Sequence, residues 1–361
     1  MNLQEKLDTK QLRTSVLGAG AVGGYVGGMI AREFPVTLLC RSKQAEALRK
    51  DGLKVRGHQG EFFVQATSLD QGDNSGPGMR VTEDPRKAVE GADLVLLCVK
   101  SQDTEDLVRE IAPVLPEHAA VILLQNGVRN KDVANGILGA NRSLETVVLF
   151  NSLFVNPGEV TLTATESVIF DESESENEAA IVASKLLKDS GIHTRFHKNV
   201  RGILWTKLII NLNNGSSALT GGTLFEGLRD PYTRRIARAL MGEGMETLRA
   251  SGIQMEPIPK VDPPKLMWLL KTPGWFAALV MILLIKPYQD VQSSTWQSRV
   301  RGRPTEIDYL NGEIVRLAKE HGREAPLNEK IVELVHRFEN EGDHRATLTS
   351  KQLLEELGNP E

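Results

Sequence analysis

Three glycines in the pattern Gly18-x-Gly20-x-x-Gly23 have the spacing that a site for the phosphates of a dinucleotide requires. They follow a short apolar segment and precede a segment that can form a helix. Glycine at these places permits a tight turn, close approach of the backbone to a pyrophosphate, and close packing of the new helix on its strand. The amides at the helix start, at Ala21 and Val22, then face the phosphates at the positive end of the helix dipole. The pattern predicts a dinucleotide site; an ordinary glycine-rich turn is the alternative.

The residue after the second predicted strand bears on which dinucleotide binds. That strand, Val36–Cys40, lies at the distance expected for a βαβ unit, and the adenosine ribose should lie at its end. An NAD site places an acid there to bind the ribose 2′-hydroxyl, but no acid occurs between Phe34 and Ala45. Arg41 and Lys43 occur instead, and a 2′-phosphate needs a cation. The sequence favours NADP (NADPH); a solvated basic pair at a strand end is the alternative.

A narrow polar stripe runs along an otherwise apolar helical segment in the second half of the chain. On a helix, Lys207, Asn211 and Asn214 fall within about 60° of one another, and apolar residues fill nearly all the rest of the circumference. Burying a lysine favours its neutral form and lowers its pKa, and such a lysine is a useful proton donor. Lys207 is therefore a candidate proton donor; a helix that exposes one polar edge to water is the alternative.

A carboxylate near the other end of this half of the chain is a second candidate for the site. Pro304, Thr305 and Asp308 have the order of a helix start, with Thr305 and Asp308 spaced as a capping box. By that interpretation Glu306 is only a first-turn acid. On the predicted helix, however, Glu306 lies about 70° from the centre of the apolar stripe and Asp308 about 130°, so Glu306 leans further inward. We expect Glu306 to face a cleft between two domains. The stripe consists of Ile307, Leu310, Ile314, Leu317 and Ala318.

Polar residues also follow two continuous apolar runs, Ala92–Val99 and Ala119–Leu124. Runs of this length suit strands that are buried on both faces of a parallel sheet. The first run ends in Lys100 and the second is followed by Asn126-Gly127. Because ligands in this fold class bind beyond the carboxyl ends of the strands, these residues are site candidates. A solvated charge at Lys100 and a plain turn at Asn126-Gly127 are the alternatives.

These elements predict an α/β protein, with an N-terminal Rossmann-like doubly wound sheet and a C-terminal all-helical domain. Strand patterns nearly vanish after residue 198, and 361 residues are enough for two domains. We expect an N-terminal tail at 1–12, an NADP-binding Rossmann-like domain at 13–198, a helical substrate and dimerisation domain at 199–342, and a C-terminal tail at 343–361.

Composition narrows the class of protein and its partners. A hydrophobic content of 40%, a charged content of 25% and a net charge of −4 are typical of a globular protein without a nucleic-acid partner. Residues 1–13 lack the apolar core of a signal peptide, which favours a cytoplasmic location. Cys40 and Cys98 should lie on opposite sides of the first strand, too far apart for a disulfide. The spacing of the histidines predicts no metal site.

The run Trp275–Ile285 is apolar throughout. Its 11 residues are too few to cross a bilayer, which needs about 20, so we expect no integral membrane insertion. A buried helix or a subunit interface is the favoured interpretation, and a homodimer is a candidate assembly. Peripheral contact with a membrane is the alternative.

Together these residues resemble the ketopantoate reductase family, NADPH-dependent enzymes that reduce 2-oxo acids to 2-hydroxy acids. The resemblance extends from Thr14 to about Phe338. The motifs that contain Lys207, Ser294 and Glu306 are specific to the family, whereas the glycine pattern is not. The motifs are Gly18-Ala-Gly-Ala-Val-Gly23, Arg41, Val99-Lys100, Gln125-Asn-Gly127, Trp205-x-Lys207 with Asn211, Ser293-Ser294, and Gly302-Arg-x-Thr-Glu306-Ile-Asp-Tyr.

The resemblance implies reduction of 2-dehydropantoate to pantoate, a reaction of pantothenate biosynthesis. It implies that Lys207 is the general acid and that Glu306 is its partner. It also implies that Lys100 and Asn126 contact cofactor as well as substrate. The implied substrate contacts are Lys100, Asn126, Asn211 and Ser294.

Three departures from the family pattern leave open which 2-oxo acid is reduced. The family has an asparagine one helical turn after the position of Asn211, where this chain has Gly215. An acid of the family is replaced by Ser298, and the segment Pro257–Tyr288 is longer and more apolar than expected. A reductase of a different 2-oxo acid is therefore one alternative.

Two alternatives lie outside this reaction. A non-catalytic NADP-sensing protein would keep the fold but has no need for a proton donor, so the pair Lys207 and Glu306 argues against it. A dehydrogenase of the opine or glycerol-3-phosphate type would lack the Thr305-Glu-Ile-Asp308 signature.

Overall fold

The structure, a computed structural model, describes residues 1–57, 60–68, 76–164, 167–259, 261–285, 292–342, 344–345 and 347–360. The chain divides into two compact units, Met1–Val200 and Arg201–Glu361. Sequence patterns place the domain boundary at residue 198.

The first unit alternates strands with helices along most of its length. Its helices are α1 (Leu3–Asp8), α2 (Ala21–Ala31), α3 (Ser42–Asp51), α4 (Pro85–Val89), α5 (Thr104–Ile111), α6 (Asn130–Leu138) and α7 (Glu178–Asp189). Its strands are β1 (Thr14–Leu17), β2 (Pro35–Leu39), β3 (Leu53–Gly57), β4 (Gly60–Val64), β5 (Ala66–Ser68), β6 (Gly78–Thr82), β7 (Leu94–Leu97), β8 (Ala120–Leu123), β9 (Ser143–Val148), β10 (Asn151–Asn156), β11 (Glu159–Ala164), β12 (Val168–Asp171) and β13 (Thr194–His197).

Within the described residues the strands form two sheets. The larger has the order β13-β12-β9-β8-β7-β1-β2-β6-β5, and the smaller has the order β10-β11-β3-β4. The centre of the larger sheet is parallel, with Leu17 of β1 opposite both Leu39 of β2 and Leu97 of β7. The carboxyl ends of these three strands therefore lie side by side, where ligands bind in this class of fold.

Apolar residues of the larger sheet pack on both of its faces. Val16 and Leu96 belong to one core, which includes residues of α2 and α7. Leu17 and Leu97 belong to the other, which includes residues of α5 and α6. Neighbouring residues of one strand point to opposite faces, so uninterrupted apolar strands need helices on both sides. The predicted doubly wound α/β sheet is confirmed.

The two cysteines are free, as the strand order requires. Cys40 follows β2 and Cys98 follows β7, and β1 lies between those strands. The expectation that they form no disulfide is confirmed.

The second unit is helical in its described part, apart from an isolated bridge between Ile258 and Val261. Its helices are α8 (Val200–Asn211), α9 (Asn213–Thr220), α10 (Leu224–Arg229), α11 (Pro231–Ala250), α12 (Pro263–Lys271), α13 (Gly274–Ile285), α14 (Ser294–Val300), α15 (Asn311–Glu320), α16 (Pro326–Asn340) and α17 (Ser350–Glu356).

Both segments that the sequence assigns to terminal tails contain a packed helix. Leu7 of α1 is buried against the first core. At the other end of the chain, α17 buries Leu353 and Leu354 and packs against α11. Helices of six or seven residues are too short to show a helical period, so the sequence gives little sign of them.

The helix predicted to start at Thr305 begins later. Residues Ile307–Tyr309 form a 3-10 turn, and α15 starts only at Asn311. The predicted capping box of Thr305 and Asp308 is wrong, because Thr305 Oγ1 is buried without a hydrogen-bond partner. The predicted apolar stripe is nevertheless buried, because the turn and α15 present the same apolar side chains to the core. Its buried members are Ile307, Leu310, Ile314, Leu317 and Ala318.

The apolar helix α13 is not buried throughout. Ala277 is fully buried, but the side chains of Trp275 and Leu279 are 70% and 48% exposed. On the neighbouring helix α12, Trp268 is 62% exposed, and its ring packs edge-on against Phe276. The run is thus buried on one face only, and a subunit interface on its exposed face stays a prediction. Among the described helices, none combines the length and the apolar character that a bilayer crossing demands.

Candidate active site

The turn between β1 and α2 leaves an open cradle at the carboxyl end of the central strand. Gly18 has φ +101°, a left-handed conformation that favours glycine. Gly20 caps the start of α2, and a Cβ built on it would meet no heavy atom within 4 Å. A Cβ on Gly23 would lie 2.1 Å from the carbonyl oxygen of Gly18. Gly18 and Gly23 are thus required by the turn itself, whereas Gly20 keeps space free above it.

This cradle fits the phosphates of a dinucleotide. The first amides of α2, at Ala21 and Val22, have no acceptor within their own helix, as at any helix start. Their dipoles favour a negative group in front of them, and without a side chain at Gly20 that group can approach the backbone.

Arg41 lies at the end of β2, immediately before α3. Its side chain is 81% exposed, and its Nη2 atom lies 3.2 Å from Oδ2 of Asp103. Asp103 ends the 3-10 turn Ser101–Asp103 that follows β7. Lys43 is exposed on α3. The sequence motifs include Arg41 but not Asp103, because the contact joins residues 62 positions apart.

The ends of β7 and β8 are joined by side-chain hydrogen bonds. Gln125 donates from Nε2 to the carbonyl oxygen of Val99 at 2.8 Å. The carbonyl oxygen of Asn126 accepts from Ser101 Oγ at 2.8 Å and from Asn130 Nδ2 at 2.7 Å. These bonds hold the strand ends in register below the partly buried side chains of Asn126 and Lys100. Ser101 and Asn130 position this edge, and only their polarity near strand ends signals them in the sequence.

In the second unit, Lys207 lies on α8 among largely buried apolar neighbours. Trp205 and Leu208 are 2% exposed and Thr206 is fully buried, whereas Lys207 and Asn211 are only partly buried. Burial lowers the pKa of Lys207 and the negative charge of Glu306 raises it, and the result is a pKa of about 8. At neutral pH the ammonium is therefore still the main form but gives up its proton more readily than an exposed lysine does.

Residues on both sides of Glu306 contact α16. The backbone amide of Thr305 donates to Oε1 of Glu339 at 2.9 Å. Asp308 is exposed, and its Oδ1 lies 2.9 Å from Nε2 of His336. Glu306 itself is partly buried. The segment 305–308 is thus fixed to α16 while the Glu306 carboxylate is close enough to Lys207 to shift its pKa.

The polar stripe of Lys207, Asn211 and Asn214, predicted on a single helix, is divided between two helices in the structure. Helix α8 ends at Asn211 and α9 starts at Asn213, with Leu212 between them in a right-handed helical conformation. Lys207 and Asn211 are one helical turn apart on α8, so they share a face. Asn214 lies on α9 and is partly buried.

Gly215, one of the departures from the pattern that the resemblance implies, lies in crowded packing. It is buried, and a Cβ there would lie 2.5 Å from Cγ2 of Ile331 and 2.9 Å from Cδ1 of Ile307. The space beside Asn214 is filled by neighbouring side chains. An asparagine at Gly215 therefore requires a rearrangement of this packing.

Helix α14 carries the predicted contact Ser294. Ser293 is its N-cap, and its Oγ accepts from the amide of Trp296 at 3.2 Å. Ser294 is the first helical residue and is exposed, and Ser298 is partly buried on the same helix. Helix α14 packs against α9, which follows the helix of Lys207.

The first unit thus brings the glycine turn, Arg41, Lys100 and Asn126 to the carboxyl ends of adjacent strands. The second unit brings Lys207 and Glu306 into electrostatic contact. A doubly wound sheet with a glycine turn at its central strand, followed by a helical unit with a partly buried lysine, defines the class of Rossmann-like two-domain proteins.

The chain belongs to the ketopantoate reductase family. The family model described as Ketopantoate reductase PanE/ApbA matches residues 14–175, and the model of its C-terminal part matches residues 199–339. The protein is accordingly an oxidoreductase of that family.

Individual relatives are similar over nearly their full length. A 2-dehydropantoate 2-reductase of Archaeoglobus fulgidus is 26% identical, with 91% of this chain and 98% of the relative covered. A solved structure of a PanE/ApbA family ketopantoate reductase from Ralstonia eutropha JMP134 has a TM-score of 0.74 at 29% identity, covering 91% and 99%. A D-mandelate dehydrogenase solved with NADH and anilino(oxo)acetate has the same fold, with a TM-score of 0.75 at 20% identity. The match covers 91% of this chain and 99% of that one.

Proposed function

We propose that this protein reduces a 2-oxo acid to a 2-hydroxy acid with NADPH, and that the 2-oxo acid is 2-dehydropantoate. The observation that carries the proposal is the pair of Lys207 and Glu306, because Lys207 lies on a largely apolar helix and has a pKa of about 8 beside the Glu306 charge. The relatives named 2-dehydropantoate 2-reductase support the choice of substrate.

NADPH, when bound, would supply a hydride from its nicotinamide ring to the carbonyl carbon of the 2-oxo acid. Lys207 donates a proton from Nζ to the carbonyl oxygen as negative charge develops there, and the amine regains a proton from solvent. Glu306 keeps the amine protonated near neutral pH, because a neighbouring negative charge raises the pKa that burial lowers. A general acid placed in this way contributes about 10²–10⁴-fold to the rate.

The remaining candidates bind and orient. Arg41 binds the 2′-phosphate of NADPH, and the amides of Ala21 and Val22 bind its pyrophosphate above Gly20. Asn211 shares the helix face of Lys207 and donates hydrogen bonds to the substrate carboxylate. Lys100, Asn126 and Ser294 complete the contacts to substrate, and Lys100 and Asn126 also contact the cofactor.

We also propose that the protein is cytoplasmic and forms a homodimer. The support for a dimer is the exposed apolar surface of Trp268, Trp275 and Leu279 on α12 and α13. Exposed apolar surface of this kind on a globular protein favours a contact with another chain. Sedimentation velocity of the wild type and of Trp275→Glu tests it, with a monomer expected for the variant alone.

A screen of 2-oxo acids tests the reaction. Oxidation of NADPH is followed at fixed enzyme concentration with 2-dehydropantoate, 2-oxoisovalerate, pyruvate and phenylglyoxylate. We expect the highest kcat/KM with 2-dehydropantoate. Turnover of another acid in the panel with a higher kcat/KM moves the assignment to that substrate, and no NADPH oxidation with any of them contradicts the proposed reaction.

A further inference from the structure

The ion pair of Arg41 and Asp103 spans the end of the central strand. Arg41 follows β2 and Asp103 follows β7, and β1 with its glycine turn lies between these two strands. Two strand spacings separate β2 from β7, about 10 Å. The two side chains bridge that distance and meet at 3.2 Å, Nη2 to Oδ2. The contact therefore stands at the same edge as the phosphate cradle.

The pair is accessible to a ligand and is not needed for folding. The side chain of Arg41 is 81% exposed and that of Asp103 is 41% exposed. Ion pairs so open to water add little to stability, because both charges remain hydrated in either state. Arg41 can therefore exchange the carboxylate for another anion at little cost, and Asp103 can accept a hydrogen bond from another donor.

We propose that Asp103 is a second residue that sets the cofactor preference, and that it acts against Arg41. This inference rests on the proposed function. A 2′-phosphate bound to Arg41 comes close to the Asp103 carboxylate, and two like charges repel each other. A ribose 2′-hydroxyl in the same place can instead donate a hydrogen bond to that carboxylate.

Asp103, which follows β7, thereby takes the place of the acid that is absent at the end of β2. In dinucleotide sites of this kind, an acidic residue that binds the ribose 2′-hydroxyl favours NAD. No acid occurs between Phe34 and Ala45, but Asp103 reaches the cation that stands at that place. Arg41 thus favours NADPH and Asp103 favours NADH. We therefore expect the wild type to bind both cofactors, and to prefer NADPH less strongly than a site with Arg41 and no acid would.

Dissociation constants for NADPH and NADH, measured by titration calorimetry, test the inference without reference to turnover. Asp103→Asn removes the charge and keeps the shape, and Asp103→Ala removes the acceptor as well. Each should tighten NADPH and weaken NADH, and raise the ratio of the two dissociation constants, NADH over NADPH, by about tenfold. Arg41→Ala should lower the same ratio. All variants should keep the wild-type melting temperature, since the pair is exposed.

Glu105→Gln is the matched control. It makes the same change of charge two residues away on α5, but the Glu105 carboxylate is bound to Arg109 at 2.7 Å. We expect this variant to leave the ratio unchanged. A ratio for Asp103→Asn that equals that of the wild type overturns the inference alone, and so does a rise in Glu105→Gln that equals the rise in Asp103→Asn. A wild type that binds neither nucleotide overturns the proposed function as well.

Discussion

Glu306 raises the pKa of Lys207 against the burial that lowers it, and the lysine keeps a pKa of about 8. The two residues lie on different elements, α8 and the segment before the 3-10 turn Ile307–Tyr309. Burial alone lowers the pKa of Lys207 further, and an exposed lysine holds its proton more firmly, so the two effects together set the proton affinity of the amine.

Removal of the lysine should affect turnover and not cofactor binding. We expect Lys207→Ala to lower kcat by about 10²–10⁴-fold, because the proton donor to the developing alkoxide is lost. The dissociation constant of NADPH should stay close to that of the wild type. Lys265→Ala is the control, since the Lys265 side chain is 85% exposed in the same unit. A Lys207→Ala enzyme with the wild-type kcat contradicts the mechanism.

The effects of the two members of the pair should not multiply. Glu306→Ala should lower kcat as well, because the remaining amine loses the charge that keeps it protonated. In the double variant with Lys207→Ala, the loss should be much smaller than the product of the two single losses, since residues that work as one unit are not additive. Steady-state kinetics of the four enzymes measures this coupling. Losses that multiply would show that Glu306 acts independently of Lys207.

The rate of reduction should fall as pH rises through about 8. Below that pH Lys207 is protonated and can donate, and above it the amine has lost the proton that the reaction needs. Oxidation of the 2-hydroxy acid should rise over the same range, because that direction needs the neutral amine. In Glu306→Gln the inflection should move to lower pH, since the charge that raises the Lys207 pKa is gone. An unchanged inflection in this variant would contradict the assigned pair.

Substitution of Gly20 should block the cofactor and spare the fold. A side chain at Gly20 meets no heavy atom within 4 Å, so Gly20→Val should fold normally while its side chain fills the space above the turn. We expect calorimetry to show no NADPH binding and circular dichroism to match the wild type. Gly136→Val, at another open position, is the control for binding. Normal NADPH binding by Gly20→Val would identify the glycine loop as an ordinary turn.

Two glycine-to-alanine changes in helices should have opposite effects on stability. Gly136 is exposed in α6 with open space around it, so alanine there should stabilise by up to about 1 kcal/mol. At Gly215 the added Cβ would lie 2.5 Å from Ile331, so alanine should destabilise by about 1 to 3 kcal/mol despite its higher helix propensity. Calorimetry should show a higher melting temperature than the wild type for Gly136→Ala and a lower one for Gly215→Ala. A melting temperature of Gly215→Ala above that of the wild type would contradict the packing described for α9.

Much of the fold could be predicted because its signals are local. The uninterrupted apolar runs of β7 and β8 specify strands buried on both faces, and the glycine turn has a backbone requirement that only a few residues meet. The late start of α15 could not be predicted, because the amide of Thr305 is bonded to Glu339 on a distant helix. Similarly, β4 and β5 are separated by one residue but belong to different sheets, a division that no local pattern marks.

The sequence by itself determined the fold class, the glycine cradle and the identity of Lys207 as the lysine of a polar stripe, since each depends on residue types at short spacing. The tertiary structure decided the pKa of Lys207, the contact of Arg41 with Asp103 and the crowding around Gly215. These depend on which distant segments are packed together, because electrostatic and steric effects act over a few ångströms in space, whatever the separation along the chain.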